Sequence, residues 1–168
     1  MKKTIIKYSF VLSLIILSAC KIGYSFTGAN IAADVKTVSV DYFPNHALLV
    51  NPNLSQSFTE DLKDKFVAQT SLELVSQDGD LQFSGEILSY KTSPAAIQGD
   101  LASQTRLTIA IFVKFTNTKD SEQDFERTFS GYSDFPSEKS LDEVEDEAAG
   151  EIIEKIINDV FNASVSNW

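Results

Sequence analysis

The chain has 168 residues, of which 43% are hydrophobic and 23% are charged, and its formal net charge is −10 at pH 7. This length suits one domain with a substantial core, and the 12 Phe, 5 Tyr and 1 Trp exclude a disordered acidic chain. The acidic balance argues against nucleic-acid binding, because such a chain would repel phosphates.

The N-terminus has the pattern of a secretory signal. Lys2, Lys3 and Lys7 are followed by a mostly apolar run over residues 8–19. At about 1.5 Å per residue this run is too short to cross a hydrocarbon core of roughly 30 Å. We therefore expect a signal peptide over residues 1–19 that is removed, and no permanent membrane span.

Cys20 follows the small residues Ser18 and Ala19, and this pattern resembles a bacterial lipobox. The alternative is an ordinary secretory signal with an incidental cysteine. Cys20 is the only cysteine, so it has no disulfide partner, and a free thiol would be a liability in an oxidising compartment. The sequence therefore predicts Cys20 as the lipid attachment site, bearing acyl chains such as palmitate that anchor the protein to a membrane. Removal of the three lysines of the signal takes the formal charge from −10 to −13.

Residues 20–33 are predicted to form a lipidated lead-in, and residues 34–168 a single domain. Lys21 stands next to the cysteine, where an Asp favours inner-membrane retention in enterobacterial sorting. By analogy, we expect the protein on the periplasmic side of the outer membrane.

The domain begins with a strand and a helix. Residues 35–43 alternate between apolar and polar, which predicts a half-buried strand ended by Pro44. His46 follows in the loop. Asn51 and Pro52 then predict the cap and first position of an amphipathic helix of about 18 residues, whose apolar positions recur every four residues: Leu54, Phe58, Leu62 and Phe66.

Four further strand segments follow. Residues 72–75 form a short strand candidate, closed by a turn over residues 77–80, and residues 81–92 form a longer strand in which Gly85 indicates a bulge or close contact. Residues 93–104 contain Pro94 and Gly99 and are predicted to form a long hairpin loop with a functional role. Residues 105–116 alternate most clearly, and residues 124–132 form the last strand.

The chain ends in a second amphipathic helix, which is predicted to start at a capping box of Ser140 and Glu143 and to reach about Ala163. The order of elements predicts an α+β two-layer sandwich. Its mixed or antiparallel sheet has about four to five strands, and two helices pack on one face.

Catalytic and cofactor sites have little support in the residues. His46 is the only histidine, and a solvated loop residue is its more usual role. No phosphate-binding loop or metal-ligand spacing is present in the sequence, and the segment from Asp78 to Asp80 resembles a calcium loop without the downstream ligands. We therefore predict no enzyme activity, no cofactor and no metal.

Arg106 and Lys114 are the candidate contact residues. They share the polar face of the clearest strand and lie about 26 Å apart along it. In so acidic a chain, cations on a helix-free sheet face could receive phosphates or a partner's carboxylates. The alternative is that they are ordinary solubilising residues.

Five stretches, taken with the lipobox, resemble the LptE family of lipopolysaccharide-assembly lipoproteins in the form found in Bacteroidetes. They keep their order along the chain: residues 24–29 (YSFTGA), 51–60 (NPNLSQSFTE), 80–83 (DLQF), 106–109 (RLTI) and the C-terminal segment 144–168. The resemblance implies a non-enzymatic α+β sandwich that plugs the outer-membrane β-barrel LptD, helps to assemble it and delivers lipopolysaccharide to the outer leaflet. Some members bind lipopolysaccharide, but the basic residues described for enterobacterial members have no matching motif here.

Two other functions stay open at this point. The chain could be a periplasm-facing binding or scaffold lipoprotein of another envelope or secretion complex. A hydrolase that uses His46 is the third hypothesis.

Overall fold

The structure is a computed structural model that describes residues 31–48, 51–98 and 101–165, without the side chains of residues 96–98 and 101–103. The predicted signal peptide, Cys20 and the lead-in as far as residue 30 lie outside the described residues. They stay predictions.

A five-stranded mixed sheet forms one layer of the molecule, with the strand order β2-β1-β3-β4-β5. Its strands are β1 (Thr37–Val40), β2 (Glu73–Leu74), β3 (Leu81–Gln98), β4 (Leu101–Asn117) and β5 (Phe125–Pro136). β1 runs parallel to β2 and β3, whereas β3, β4 and β5 form an antiparallel meander. A short 3-10 helix (Ser121–Gln123) lies between β4 and β5.

Two helices, α1 (Leu54–Gln69) and α2 (Leu141–Val165), form the second layer. The predicted apolar stripes face the core, and the Phe66 ring joins the layers: its centroid lies 4.8 Å from that of Phe83 on β3 and 5.1 Å from that of Phe161 on α2. The predicted α+β fold is thus confirmed. Neither helix has the length and apolarity that a membrane span requires.

The start of α1 differs from the prediction. The helix begins at Leu54, so Pro52 is not its first residue. Asn51 still acts as a cap one step earlier, because its Oδ1 accepts the N–H groups of Asn53 at 2.9 Å and Leu54 at 3.1 Å. The prediction that Asn51 caps backbone N–H groups was correct, but the chain makes one extra turn before the helix starts.

The predicted hairpin loop over residues 93–104 is wrong. β3 continues to Gln98 and β4 starts at Leu101, so the two strands pair through most of this segment. Three register shifts, one after Ile87 and two between Pro94 and Ile97, absorb the irregular sequence. β5 likewise runs on to Pro136, beyond the predicted end at residue 132.

The segment from Asp78 to Asp80 belongs to the connection that crosses from β2 on one side of β1 to β3 on the other, and its last carboxylate fixes one end of the sheet. Asp78 adopts a positive φ of 54°. Asp80 Oδ2 accepts the N–H groups of Lys36 at 2.8 Å and Thr37 at 3.0 Å, and Oδ1 lies 2.9 Å from Lys119 Nζ. Asp80 therefore joins the entry of β1 to the exit of β4.

Candidate functional site

The sheet face that carries no helices, here called the open face, is the candidate site. On β4 every second side chain is fully buried toward the helices, from Leu107 to Phe115, and the intervening ones face outward, as predicted. Their partners on β5 alternate in the same way. The open face of this strand pair comprises Arg106, Thr108, Ala110, Phe112 and Lys114 of β4 and Glu126, Thr128, Ser130, Tyr132 and Asp134 of β5.

Arg106 is held in place by two neighbours on β5. Its Nε and Nη2 donate to the two carboxylate oxygens of Asp134, at 2.7 and 2.8 Å. The guanidinium carbon lies 3.8 Å from the centroid of the Tyr132 ring, so the cation stacks on that ring. The bidentate hydrogen bonds raise the pKa of Arg106 and lower the pKa of Asp134.

Lys114 also has a carboxylate partner on β5, since its Nζ lies 2.9 Å from Glu126 Oε1. This hydrogen bond raises the pKa of Lys114. The side chain borders a polar depression of about 260 Å³ that reaches across β3 to Ser39 and Asp41. Two acidic side chains, Asp41 and Asp78, line the same depression, so it is not a site for anions.

The two predicted cations thus belong to separate ion pairs and do not form one cluster. A phosphate that binds at either position would have to compete with a carboxylate already in place. What the β4–β5 part of the open face offers is a hydroxyl-rich surface with paired charges and an exposed aromatic ring, Tyr132, which is 58% accessible. Such a surface suits hydrogen bonding to a polar partner more than capture of a free anion.

Lys91 is a third cation on this face, which the sequence analysis did not identify. It pairs with Thr108 in the β3–β4 register, while Ser93 pairs with Arg106, so Lys91 and Arg106 are diagonal neighbours. Among the described residues, Lys91 makes no ion pair within 4.0 Å. Counting the described side chains alone, the end of the open face near Arg106 therefore carries one cation, Lys91, without an ion-pair partner.

His46 lies in the loop after β1, beside Glu86 of β3. Its Nε2 is 3.4 Å from Glu86 Oε2, and the side chain is 61% accessible. In the part of the chain that the structure describes, no group of three or more His, Cys, Asp or Glu side chains is placed to hold a metal ion. The geometry of these residues gives no support to a hydrolytic site.

A protein-family comparison gives the relationships of the chain. The model of the family LptE, described as lipopolysaccharide-assembly, matches residues 35–164. No curated protein matches the chain in sequence closely enough to count as a relative.

Solved structures share the fold. A hypothetical protein from Chlamydia trachomatis is 12% identical with a TM-score of 0.56, over 79% of this chain and 99% of that one. A minor lipoprotein from Acinetobacter baumannii is 12% identical with a TM-score of 0.52, over 76% and 91%. Rare lipoprotein B from Shewanella oneidensis is 8% identical with a TM-score of 0.51, over 76% and 90%. At these identities the likeness shows the fold alone.

Proposed function

Because the chain belongs to the LptE family of lipopolysaccharide-assembly proteins, we propose that it is a lipoprotein subunit of the outer-membrane lipopolysaccharide translocon. In this role it is the plug and assembly partner of the β-barrel LptD and is not an enzyme. The observation that carries the proposal is the extent of the family match, residues 35–164, which includes every helix and strand of the structure almost to its end.

The open face supports the proposal by its chemistry. The lumen of a transmembrane β-barrel is polar and is lined by alternate side chains of its strands. The open face offers hydroxyl groups. In each of its two ion pairs between β4 and β5, the positive charge of the β4 residue is neutralised by a carboxylate of β5. Such a surface can exchange hydrogen bonds with water for hydrogen bonds with a lumen at little cost in charge desolvation.

Lipid at Cys20 would hold the domain beside its barrel on the periplasmic side of the outer membrane. The predicted lead-in, residues 20–33, spans at most about 50 Å when fully extended. That reach lets a domain over residues 34–168 enter a neighbouring barrel while its lipid stays in the membrane.

Direct contact with lipopolysaccharide is the finer part of the proposal, with Arg106 as the candidate ligand contact and Lys114 as a candidate contact to the partner protein. The end of the open face near Arg106 suits an anionic headgroup better, because Lys91 adds a cation that has no carboxylate partner in the part of the chain that the structure describes. The Lys114 end is bordered by acidic side chains.

The proposal is tested by isolating the lipidated protein from its own membranes in mild detergent. We expect a large outer-membrane β-barrel to co-purify, and depletion of the protein to reduce lipopolysaccharide at the cell surface. Recovery without any barrel, or depletion that leaves surface lipopolysaccharide normal, would instead point to a scaffold lipoprotein of another envelope complex.

A further inference from the structure

Beyond Tyr90 the β3–β4 hairpin leaves the two-layer body. Tyr90 is 3% accessible and Leu107 opposite Thr92 is fully buried. By contrast, the next four residues of β3, Lys91 to Pro94, are all exposed, although successive strand residues point to opposite faces. Residues 91–98 of β3 and 101–106 of β4, here called the ribbon, therefore contain a β3 segment that is open to solvent on both faces.

One strand edge of the ribbon has no neighbour among residues 31–48, 51–98 and 101–165. β1 pairs with β3 only at residues 81–83, and a single parallel bridge from Asn45 reaches Ile87. Within the described ranges, no segment pairs with that side of β3 after Ile87. The opposite side of the ribbon is covered from Gln104 onward, because β4 pairs there with β5.

The register shows which backbone groups face this free edge. Ile87 N–H donates to the Pro44 carbonyl and the Ile87 carbonyl accepts the N–H of His46, both at 2.9 Å, so the backbone of Ile87 points away from β4. Leu88 is the extra residue of a bulge, and pairing then runs without a shift from Ser89 to Pro94. Alternation from that point directs the N–H of Thr92 and the nitrogen of Pro94 toward the free edge. This placement also explains why Pro94 is accepted in the strand, since it removes no hydrogen bond to β4.

The composition of the ribbon limits the kinds of partner that could bind its edge. Residues 92–105 contain a single charged residue, Asp100, in a chain of formal charge −10. Lys91 and Arg106 flank this stretch on the open face, but the strand edge from Thr92 to Gln98 has no charged side chain of its own to bind a headgroup. Acyl chains cannot satisfy the hydrogen-bonding groups of a strand edge. A second copy of the chain would bring two strongly acidic bodies together. A strand from a different protein satisfies the edge without these costs.

We propose that the free edge of β3, from Thr92 to Gln98, is an interaction surface that accepts an extended strand of the partner protein by β-strand addition. The assignment of that partner as a β-barrel rests on the function proposed above. Exposed apolar side chains lie where the covered part of β3 ends, with Leu48 fully accessible and Leu88 43% accessible. They would contact apolar residues of the added strand, so that the backbone supplies affinity and these side chains contribute selectivity.

A proline substitution separates this edge from the rest of the fold. Thr92→Pro removes an N–H donor from the free edge and leaves the hydrogen bonds to β4 in place, while Thr92→Val keeps the donor and serves as the control. In full-length lipidated protein isolated from its own membranes, we expect about fivefold less barrel with Thr92→Pro and an unchanged amount with Thr92→Val. Equal recovery with both variants would overturn the assignment of the edge.

Cross-linking tests the same surface without depending on how the proline variant folds. A photoreactive residue at Thr92 lies beside the free edge, on the strand face opposite to Lys91 and Arg106, and is exposed. It should give adducts to the barrel, whereas the same probe at Val67, which is 51% accessible on α1, should give fewer. Adducts to lipid alone, or a dimer of the chain, from position 92 would overturn the proposal. If the unmodified protein brings down no barrel at all, the proposed function fails; if it does but position 92 yields no barrel adduct, only the strand edge fails.

Discussion

Gly85 lies where β3 passes so close to its neighbours that a side chain has no room. A Cβ atom at this position would overlap the carbonyl oxygen of Phe112 on β4 and lie 2.7 Å from Cε1 of the buried Phe43 ring. We expect Gly85→Ala to lower the free energy of unfolding by about 3 kcal/mol or more, because backbone or core must move to admit the methyl group. Urea unfolding followed by circular dichroism measures this loss, and a loss below about 0.5 kcal/mol would show that the strands can separate easily.

Asp80 makes the fold sensitive to acid. The ammonium group of Lys119 and the N–H groups of Lys36 and Thr37 hold the pKa of Asp80 well below its usual value near 3.8. Since the pKa of the folded state is the lower one, the stabilisation is fully present above the unfolded pKa and is lost as the pH falls toward the folded pKa. Asp80→Asn should therefore lower the unfolding midpoint at pH 7, and its difference from the unmodified protein should narrow below about pH 4.

Asp78→Asn is the matched control for this measurement. Asp78 is exposed in the same connection and makes no ion pair with the described residues, and asparagine tolerates its positive φ. We expect it to leave the pH dependence of unfolding unchanged. A constant difference between Asp80→Asn and the unmodified protein from pH 7 to about pH 3 would show that ionised Asp80 is not what stabilises this end of the sheet.

At the scale of the elements, α2 contains an avoidable weakness at Gly150. This glycine lies in the helix interior, is exposed, and has no atom within 4 Å of the position that a Cβ would take. Gly150→Ala should stabilise the protein by about 1 kcal/mol, because alanine loses less backbone entropy in a helix. The gain should appear as a higher thermal midpoint with unchanged helix content.

The same substitution at Gly131 is the contrast. Gly131 lies on β5 beneath α2, and its Cβ would come within 2.9 Å of Ile152 Cγ2. We expect Gly131→Ala to destabilise the protein, since the helix must shift to make space. If both alanines stabilised the protein, the contact between α2 and β5 would be looser than the structure shows.

The elements differ in how far the sequence could predict them. The helices and β4 were predictable because their apolar residues recur at the periods that helices and strands require. Phe58 and Phe66 belong to such a series in α1, and Ile109 belongs to one in β4. The ribbon was missed because Pro94 and Gly99 are turn residues by local preference, and only the pairing of whole strands shows that the nitrogen of Pro94 faces a free edge. Pairing between whole strands therefore outweighed the local turn preference of these two residues.

The candidate site was only half predictable for the same reason. Alternation placed Arg106 and Lys114 on the open face, but their carboxylate partners come from β5, which is distant in sequence. Lys91 could not be placed beside Arg106 without knowledge of the bulge at Leu88, since one extra residue reverses every later side chain of the strand.

In the whole molecule, the two sides of the sheet have different tasks: the helix-covered side stabilises the fold, and the open face is the proposed binding surface. Aromatic rings connect α1, α2 and the sheet through Phe66, and they continue across the strands from Phe83 to Phe115 and Phe125. This packing fixes the sheet from one side only. The open face is therefore held rigid from behind while its own groups stay available, which is favourable for binding because little ordering is needed.

In the proposed role, the predicted lipid at Cys20 and the folded domain would contribute to function in different ways. An anchor raises the local concentration of the domain beside its barrel, to about the millimolar range for a short tether, but adds no contact with the barrel. If the open face and the ribbon form the interface, Cys20→Ala protein, exported with another signal, should bind detergent-solubilised barrel with a Kd within about threefold of the lipidated protein. In cells the same variant should complement poorly, because it loses only the concentration effect. Binding that disappears in solution would show that lipid itself is part of the interface, and full complementation would show that the domain finds its barrel without an anchor.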